Sequence, residues 1–183
     1  MVKKPDGSTR VCIDYRKLNI VTVFDPEPMH TAEEIFAKLA RDRYFSKFDL
    51  SKDYWQVPVH EEDRDLTTFV CHSGLFRLRV MPFGLVNAPA TFSRLMRHVL
   101  RDSQRLDNYL DDVLSHTPDW VRHLISLRDF FNRIYQARLT LRPSKCEIGK
   151  SIVSFLGHAL SGGILSPKGD TVDKTERSTT SYA

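Results

Sequence analysis

The stretch Tyr109-Leu110-Asp111-Asp112 decides the fold, because it places two adjacent carboxylates within an apolar segment. Leu106 precedes the stretch, and Val113 and Leu114 follow it. Apolar residues on both sides predict two short strands with the acidic pair at their junction. Adjacent carboxylates repel each other unless a cation neutralises them, and such hard oxygen ligands suit Mg²⁺ or Mn²⁺ rather than zinc. An isolated Asp-Asp pair is more often an acidic turn in solvent, so this interpretation depends on a second acidic position.

The second acidic position is Asp49, near the end of the aromatic-rich stretch 44–50, which predicts a strand. An Asp at the end of one strand and an Asp pair on a neighbouring hairpin can converge on two metal ions. Two such ions lie roughly 3.5–4 Å apart and clamp the attacking and leaving oxygens of a phosphoryl transfer. We therefore predict that Asp49, Asp111 and Asp112 lie within a few ångströms of one another in the folded chain.

Length and composition indicate a globular protein with one domain or two small lobes. Of its 183 residues 41% are hydrophobic and 27% are charged, and the net charge of +4 mildly favours an anionic partner. Cys12, Cys71 and Cys146 lack paired metal-ligand spacing and predict free thiols in a reducing compartment. No apolar run reaches transmembrane length and the basic N-terminus has no signal-peptide core, so we expect a soluble intracellular protein with no membrane partner.

Three segments have helical patterns. Thr31 and Glu34 form a capping box that opens a helix before the Asp49 strand. Residues 92–100 repeat apolar side chains at helical spacing. Thr117 and Pro118 predict the cap and first turn of another long helix. The apolar stripe predicted for that helix is Leu124, Leu127, Phe131 and Ile134.

Strand patterns occupy most of the remaining chain. Residues 67–70 and 75–81 predict a strand pair, and residues 139–167 predict two or three short strands. Helices packed on one face of a small antiparallel sheet make an α+β domain, which is the fold class that we expect.

Several short motifs also occur in a fixed order along the chain. They are residues 11–19 (VCIDYRKLN), 48–50 (FDL), 54–56 (YWQ), 81–85 (MPFGL), 87–92 (NAPATF), 109–112 (YLDD), 143–147 (PSKCE) and 155–158 (FLGH). Together they resemble the reverse transcriptases, RNA-directed DNA polymerases, of gypsy-like long-terminal-repeat retrotransposons. The resemblance covers about residues 2–168, and although each motif alone is weak, the ordered set is very specific.

The resemblance implies an α+β fold made of a polymerase palm and a partial fingers lobe. The palm is a ferredoxin-like antiparallel sheet with helices on one face. The implied limits are residues 1–168 for the domain fragment, about 1–24 and 57–87 for the fingers, about 25–56 and 88–168 for the palm, and 169–183 for a tail. That tail is polar and rich in Thr and Ser, so we expect it to be disordered.

The resemblance also implies a catalytic set and its cofactors. Asp49, Asp111 and Asp112 are expected to be catalytic and to bind two Mg²⁺ ions, for which Mn²⁺ can substitute. The expected partners are an RNA or DNA template with its primer, and deoxynucleoside triphosphates. The expected location is the cytoplasm or a retroelement particle. Template preference, source element and oligomeric state do not follow from the sequence.

Further residues are expected to contact the substrates. By resemblance Lys3, Arg10 and Tyr54 contact the incoming nucleotide, with Tyr54 as the ring that excludes ribonucleotides. Without the resemblance, the first two would belong to a solvated charged loop and Tyr54 to ordinary core packing. The residues expected to contact template and primer are Pro82, Phe83, Gly84, Leu156 and Gly157.

Two departures from the family leave alternatives open. Asp53 stands where the family usually has a small residue, often Gly, and its carboxylate would repel a triphosphate unless it turns away. The chain also looks truncated, without the family's thumb, connection and RNase H domains, so we expect at most weak, non-processive synthesis. A palm remnant that folds, or binds nucleic acid weakly, is the alternative. A metal-dependent nuclease fits the carboxylates but not Tyr54 or the loop at Pro82.

Overall fold

The protein combines α-helices with antiparallel β-strands. The structure is a computed structural model that describes residues 2–3, 9–10, 13–28, 31–39, 41–103, 105–161 and 164–167. Its elements are β1 (Val2–Lys3), β2 (Thr9–Arg10), α1 (Arg16–Val21), α2 (Ala32–Lys38), β3 (Tyr44–Asp49), β4 (Phe69–Cys71), β5 (Gly74–Phe76), α3 (Ala88–Val99), β6 (Leu106–Tyr109), β7 (Asp112–Thr117), α4 (Trp120–Gln136), β8 (Glu147–Lys150), β9 (Ile152–Phe155), β10 (His158–Ser161) and β11 (Ile164–Pro167). The predicted α+β fold class is confirmed.

The chain divides into two compact units. The first comprises Met1–Pro28 and Ser51–Leu95, and the second comprises Met29–Leu50 and Met96–Ala183. All three carboxylates predicted to be catalytic belong to the second unit, and the predicted nucleotide contacts belong to the first. The predicted tail, residues 169–183, lies outside the described residues. Within the described ranges, no helix has the length and apolar character needed to cross a bilayer.

A four-stranded antiparallel sheet with strand order β6-β7-β3-β8 organises the second unit. β3 and β7 pair from Tyr44 opposite Thr117 to Asp49 opposite Asp112. β6 pairs with β7 as far as Tyr109 opposite Asp112. The strand predicted to carry Asp49 and the hairpin predicted to carry the acidic pair are both confirmed.

Helix α4 covers one face of this sheet. Phe130 stacks on Phe48 of β3 with 4.1 Å between ring centroids, and the hydroxyl oxygens of Ser126 and Ser115 lie 2.9 Å apart. The buried positions of α4 are His123, Ser126, Leu127, Phe130 and Ile134.

The apolar stripe predicted for α4 is wrong at two of its four positions. Leu124 and Phe131 are 50% and 42% exposed. His123 is buried instead, because its ring nitrogens lie 2.7 Å from the Ser46 hydroxyl and 3.0 Å from the Thr117 hydroxyl. Apolar spacing cannot find such a residue, because its burial depends on polar partners elsewhere in the fold.

The predicted start of α4 is also wrong. Thr117 is the last residue of β7, where it pairs with Tyr44. Asp119 is the cap instead, and its side chain accepts a hydrogen bond from the Arg122 backbone N–H at 2.9 Å. Asp and Thr are both good caps, so the sequence alone could not decide between them.

The opposite face of the sheet, which we call the acidic face, bears alternate side chains of β3 and β7. They are Phe45, Lys47, Asp49, Asp112, Leu114 and His116. Helix α2, whose predicted capping box is confirmed, packs here with β9 and β10. The resulting core cluster is Ile35, Leu39, Phe45, Leu114, Val153, Phe155 and Leu160.

Strands in the remaining chain differ in extent from those predicted. Residues 139–167 contain four strands, and β9, β10 and β11 form a three-stranded sheet of their own. In the first unit, the predicted strand 75–81 ends at Phe76. Arg77 follows it and binds Asp65 at 2.6 Å, so it is an ion-pair partner outside the strand.

Cys71 and Cys146 are free thiols, as predicted, and Cys12 lies outside the described residues.

The backbone at residues 52–53 adopts an unusual conformation. Lys52 has φ of 61° and Asp53 has φ of 29°, in the region that glycine occupies without steric penalty. The turn Asp53–Gln56 follows directly. Asp53, where the family usually has a small residue, therefore strains the backbone in addition to placing a negative charge there.

Substituting Asp53→Gly should raise the free energy of unfolding by about 1 kcal/mol, because relief of the strained φ exceeds the added entropy of the unfolded chain. Urea unfolding of the two proteins measures this difference. The control is Asp53→Ala, which removes the charge but keeps the Cβ. An equal gain in Asp53→Ala would assign the effect to the carboxylate and not to the backbone.

Candidate active site

The three predicted carboxylates meet at one end of the acidic face. Asp49 is the last residue of β3 and Asp112 is the first of β7, and the two are direct cross-strand partners. Opposed residues of this kind have Cβ atoms about 4.5–5.5 Å apart. Asp111 lies in the two-residue turn between Tyr109 and Asp112. The structure thus brings together residues that are far apart in sequence, as the acidic pattern predicted.

The turn itself is strained. Leu110 has φ of 54°, which a non-glycine residue adopts only at a cost of about 1–2 kcal/mol. A tight two-residue turn between antiparallel strands needs positive φ, which matches the right-handed twist of the strands. The hairpin therefore accepts strain at Leu110 while it presents Asp111 beside the strand ends.

Basic side chains contact two of the three carboxylates. Lys47, two residues before Asp49 on the same face, binds Asp112 with 2.8 Å between Nζ and Oδ2. Lys145 lies 3.3 Å from Asp49, and Arg142 Nε lies 3.9 Å from the other oxygen of Asp49. The backbone supports this arrangement, because the Arg142 N–H donates to the Asp49 carbonyl at 2.9 Å.

Asp111 is the carboxylate with unbalanced charge. Burial raises its pKa, and the charges of Asp112 and Asp49 raise it further. A hydrogen bond from its own backbone N–H and the charge of Lys47 oppose this rise without cancelling it. The ionised form of Asp111 is therefore disfavoured, first by burial and then by its acidic neighbours, and we call this the charge deficit at Asp111.

The chemistry of the three carboxylates, but not their present arrangement, suits a hard divalent cation. Three carboxylates provide the oxygen ligands that Mg²⁺ and Mn²⁺ prefer, and the deficit at Asp111 would be relieved by a cation. Within the part of the chain that the structure describes, no three His, Cys, Asp or Glu side chains are arranged as a metal cage. Asp112 and Asp49, which we call the outer carboxylates, bind Lys47 and Lys145 instead.

The predicted nucleotide contacts lie in the first unit. The Tyr54 ring packs against Phe83 and Phe92, with ring centroids 5.1 Å and 5.7 Å away. Lys3 and Arg10 belong to the β1–β2 hairpin, in which Lys3 pairs with Thr9. The side chains of Lys3 and Arg10 lie outside what the structure describes.

The loop with Pro82, Phe83 and Gly84 is held by Asn19. The Asn19 amide donates to the Gly84 carbonyl at 2.8 Å and accepts from the Val86 N–H at 2.9 Å. Gly84 has φ of 99°, so a side chain there would be strained. This loop, predicted to contact template and primer, is a defined turn with buried Pro82.

Leu156 and Gly157 form the turn between β9 and β10 in the second unit. Both have positive φ, 49° and 78°. The Leu156 side chain packs against the core cluster, and its carbonyl lies 3.0 Å from His158 Nδ1. Leu156 therefore has a packing role in addition to its predicted contact with template and primer.

Sequence reasoning missed the basic partners of the trio. Lys47 could have been found, because strand alternation places it on the same face as Asp49. Arg142 and Lys145 could not, because nothing local in the sequence shows that the turn Pro143–Lys145 lies beside the end of β3.

Substituting Asp111→Asn should stabilise the metal-free protein at neutral pH. The raised pKa means that the native state disfavours the ionised carboxylate. This penalty is absent below the ordinary pKa of 3.8, appears as pH rises from there to the folded-state pKa, and is complete above it. Thermal unfolding at several pH values should therefore show a gain at neutral pH that disappears in acid.

Asp112→Asn is the matched control, because it makes the same chemical change in a residue that pairs with Lys47. It should give no comparable gain. Equal stabilisation by the two substitutions, or none by Asp111→Asn, would contradict the charge deficit assigned to Asp111.

Comparison with known proteins gives consistent matches. Residues 2–160 match the family model described as Reverse transcriptase (RNA-dependent DNA polymerase). The chain is 40% identical to the Retrovirus-related Pol polyprotein from transposon 297 of Drosophila melanogaster and 30% identical to the Transposon Tf2-3 polyprotein of Schizosaccharomyces pombe. These alignments cover 90% and 94% of this chain, which spans 16% and 13% of the two polyproteins.

Solved structures show the same fold. The foamy viral protease-reverse transcriptase dRH in complex with double-stranded DNA superposes with a TM-score of 0.86 at 26% identity, over 96% of this chain and 31% of that one. The native prototype foamy virus protease-reverse transcriptase gives a TM-score of 0.78 at 30% identity, over 88% and 22%. Since the family model covers most of the chain, we conclude that this chain belongs to the reverse transcriptase family.

Proposed function

We propose that this chain is the polymerase part of a retrotransposon reverse transcriptase, of the gypsy-like long-terminal-repeat type. The carrying observation is the register that places Asp49 opposite Asp112, with Asp111 in the adjoining turn. Both polyproteins reported above are transposon products, which supports a retroelement origin. We propose about residues 1–24 and 57–87 as the fingers, and about residues 25–56 and 88–168 as the palm. The expected location is the cytoplasm or a retroelement particle.

The proposed reaction extends a primer by one deoxynucleotide. The primer 3′-hydroxyl oxygen attacks the α-phosphorus of a deoxynucleoside triphosphate, and a new P–O bond forms. The bond from that phosphorus to the bridging oxygen breaks, pyrophosphate leaves, and the hydroxyl proton passes to solvent. Divalent cations, on which this family generally depends, would supply positive charge to the reacting oxygens when bound by Asp49, Asp111 and Asp112.

The residues around the trio have distinct tasks in this proposal. Lys47 and Lys145 neutralise the outer carboxylates until cations replace them, which keeps three close negative charges compatible with a folded sheet. Tyr54 discriminates against ribonucleotides by steric exclusion of the 2′-hydroxyl. Its packing against Phe83 and Phe92 fixes the ring for that task.

Nucleic acid is the proposed macromolecular partner. The foamy viral structure that superposes best among those above holds double-stranded DNA. By the resemblance of the sequence motifs, we assign contacts with an RNA or DNA template and its primer to the Pro82–Gly84 loop and to the turn at Leu156 and Gly157. Lys3 and Arg10 are proposed to contact the triphosphate, since both carry the positive charge that phosphate binding needs.

The second candidate function is a palm remnant that binds nucleic acid without catalysis. Two observations favour it: the outer carboxylates are paired with lysines, and Asp53 combines positive φ with a charge. This candidate keeps the fold and the nucleic-acid partner but assigns no role to the charge deficit at Asp111.

Primer extension on poly(rA)/oligo(dT) with Mg²⁺ or Mn²⁺ distinguishes the two candidates. We expect limited extension by the natural sequence, and Asp111→Asn should lower the rate by about a hundredfold or more. An Asp102→Asn control, which changes an exposed carboxylate outside the site, should leave the rate unchanged. No extension by the natural sequence, together with retained binding of the hybrid, would support the remnant instead.

A further inference from the structure

A second charged cluster, which we call the histidine clamp, lies at the other end of the acidic face from the catalytic trio. Its centre is His116 of β7, the cross-strand partner of Phe45. All members belong to the second unit. They are Lys38, Asp42, Arg105, Asp107 and His116.

The imidazole of His116 lies between two carboxylates. Nδ1 is 2.6 Å from Asp42 Oδ2, and Nε2 is 2.8 Å from Asp107 Oδ2. The side chains are almost inaccessible, with 1% of His116, 1% of Asp42 and 7% of Asp107 exposed. Lys38 binds the other oxygen of Asp107, and Arg105 lies 3.4 Å from Asp42.

This geometry favours a positively charged ring. A neutral imidazole can donate from one nitrogen only, whereas here each nitrogen faces a carboxylate oxygen. Burial acts to raise the pKa of Asp107, but hydrogen bonds and charge from His116 and Lys38 outweigh burial and lower it. Asp107 is therefore ionised at neutral pH and accepts from Nε2–H. Arg105 lies beside Asp42 and favours its negative charge, so we infer that Nδ1 donates to Asp42 as well.

The clamp joins the strands that carry the trio. Asp42 lies just before β3, Asp107 is in β6, and His116 is in β7. Backbone hydrogen bonds connect the same places, from Arg43 to Thr117 at 2.9 Å and from His116 to Arg105 at 3.1 Å. Among the described strands, the four-residue edge strand β6 pairs with β7 alone, so the contact between Asp107 and His116 adds a side-chain link across that pair.

We propose that His116 is a positioning residue for the reaction proposed above: as an imidazolium it clamps Asp42 and Asp107, and thereby fixes the hairpin that presents Asp111 and Asp112 beside Asp49. The inference rests on the proposed function only for its link to catalysis, since the clamp itself is a property of the fold. His116 acts through the strands and touches no member of the trio.

Charged and titratable groups approach the His116 ring from several elements of the fold. Lys38 approaches from α2, Asp42 from the segment before β3, and Asp107 and Arg105 from β6 and the residue preceding it. His123 of α4 lies beyond the sheet, and its pKa is lowered by burial and then by the charge of His116. With the imidazolium, three cations and two anions make up the clamp, so loss of the ring charge leaves two buried carboxylates without a shared donor.

Amide hydrogen exchange without metal or substrate tests the clamp directly. His116→Gln replaces two charged N–H donors on separate ring nitrogens with one uncharged amide nitrogen. It should speed exchange across residues 106–115 by about tenfold or more relative to β9 and β10. The control Leu160→Ala removes a buried apolar side chain of β10, which packs against the acidic face through the core cluster. It should speed exchange in β9 and β10 more than in the hairpin, which it touches only through the shared core cluster.

Unchanged hairpin exchange in His116→Gln, or equal acceleration throughout the second unit, would overturn the proposal. If that variant fails to fold, nitrogen NMR of the natural protein decides instead. A protonated Nδ1 and Nε2 at neutral pH support the clamp, and a single N–H overturns it.

Mn²⁺ binding, followed by electron paramagnetic resonance, tests the link to the trio. His116→Gln should weaken Mn²⁺ binding by about tenfold, while Leu160→Ala should change it by less than about twofold. Equal Mn²⁺ affinities of His116→Gln and Leu160→Ala would show that His116 does not position the three carboxylates. Absence of binding that depends on Asp111 in the natural protein would refute the proposed function, and hydrogen exchange would still report whether the clamp exists.

Discussion

The pairing of β3 with β7 is the constraint on which the rest of the second unit depends. The register that sets Asp49 opposite Asp112 also directs Phe45 and Leu114 into the core cluster on the same face. A slip of one residue would turn Asp112 towards α4 and remove Leu114 from the core. Burial of apolar side chains therefore fixes the position of carboxylates that repel one another.

The carboxylates at the two ends of the acidic face differ in how well nearby cations balance them. At the histidine clamp, buried carboxylates are matched by cations with short contacts on both sides. At the trio, exposure is greater and the deficit at Asp111 remains. Compact ion pairs at one end and a disfavoured, partly buried carboxylate at the other are the arrangement expected when a functional site is supported by a rigid scaffold.

The sequence predicted the parts of this arrangement that depend on local patterns. Strand β3, the acidic hairpin and the capping box at Thr31 were read from alternation, flanking apolar residues and cap spacing. The buried face of α4 was missed because His123 and Ser126 are buried through hydroxyl partners on the sheet. Lys145 and the clamp around His116 were missed for the same physical reason. Their partners are distant in sequence and become neighbours only through the tertiary fold.

The β3–β7 register couples Asp49 electrostatically to the acidic turn. Carbon NMR titration of the Asp111 carboxyl, in the natural protein and in Asp49→Asn, measures this coupling most directly. The charge of Asp49 raises the pKa of Asp111, after burial and the charge of Asp112, so its removal should lower that pKa. An Asp111 pKa that is the same in both proteins would show that Asp49 and the turn do not share a site.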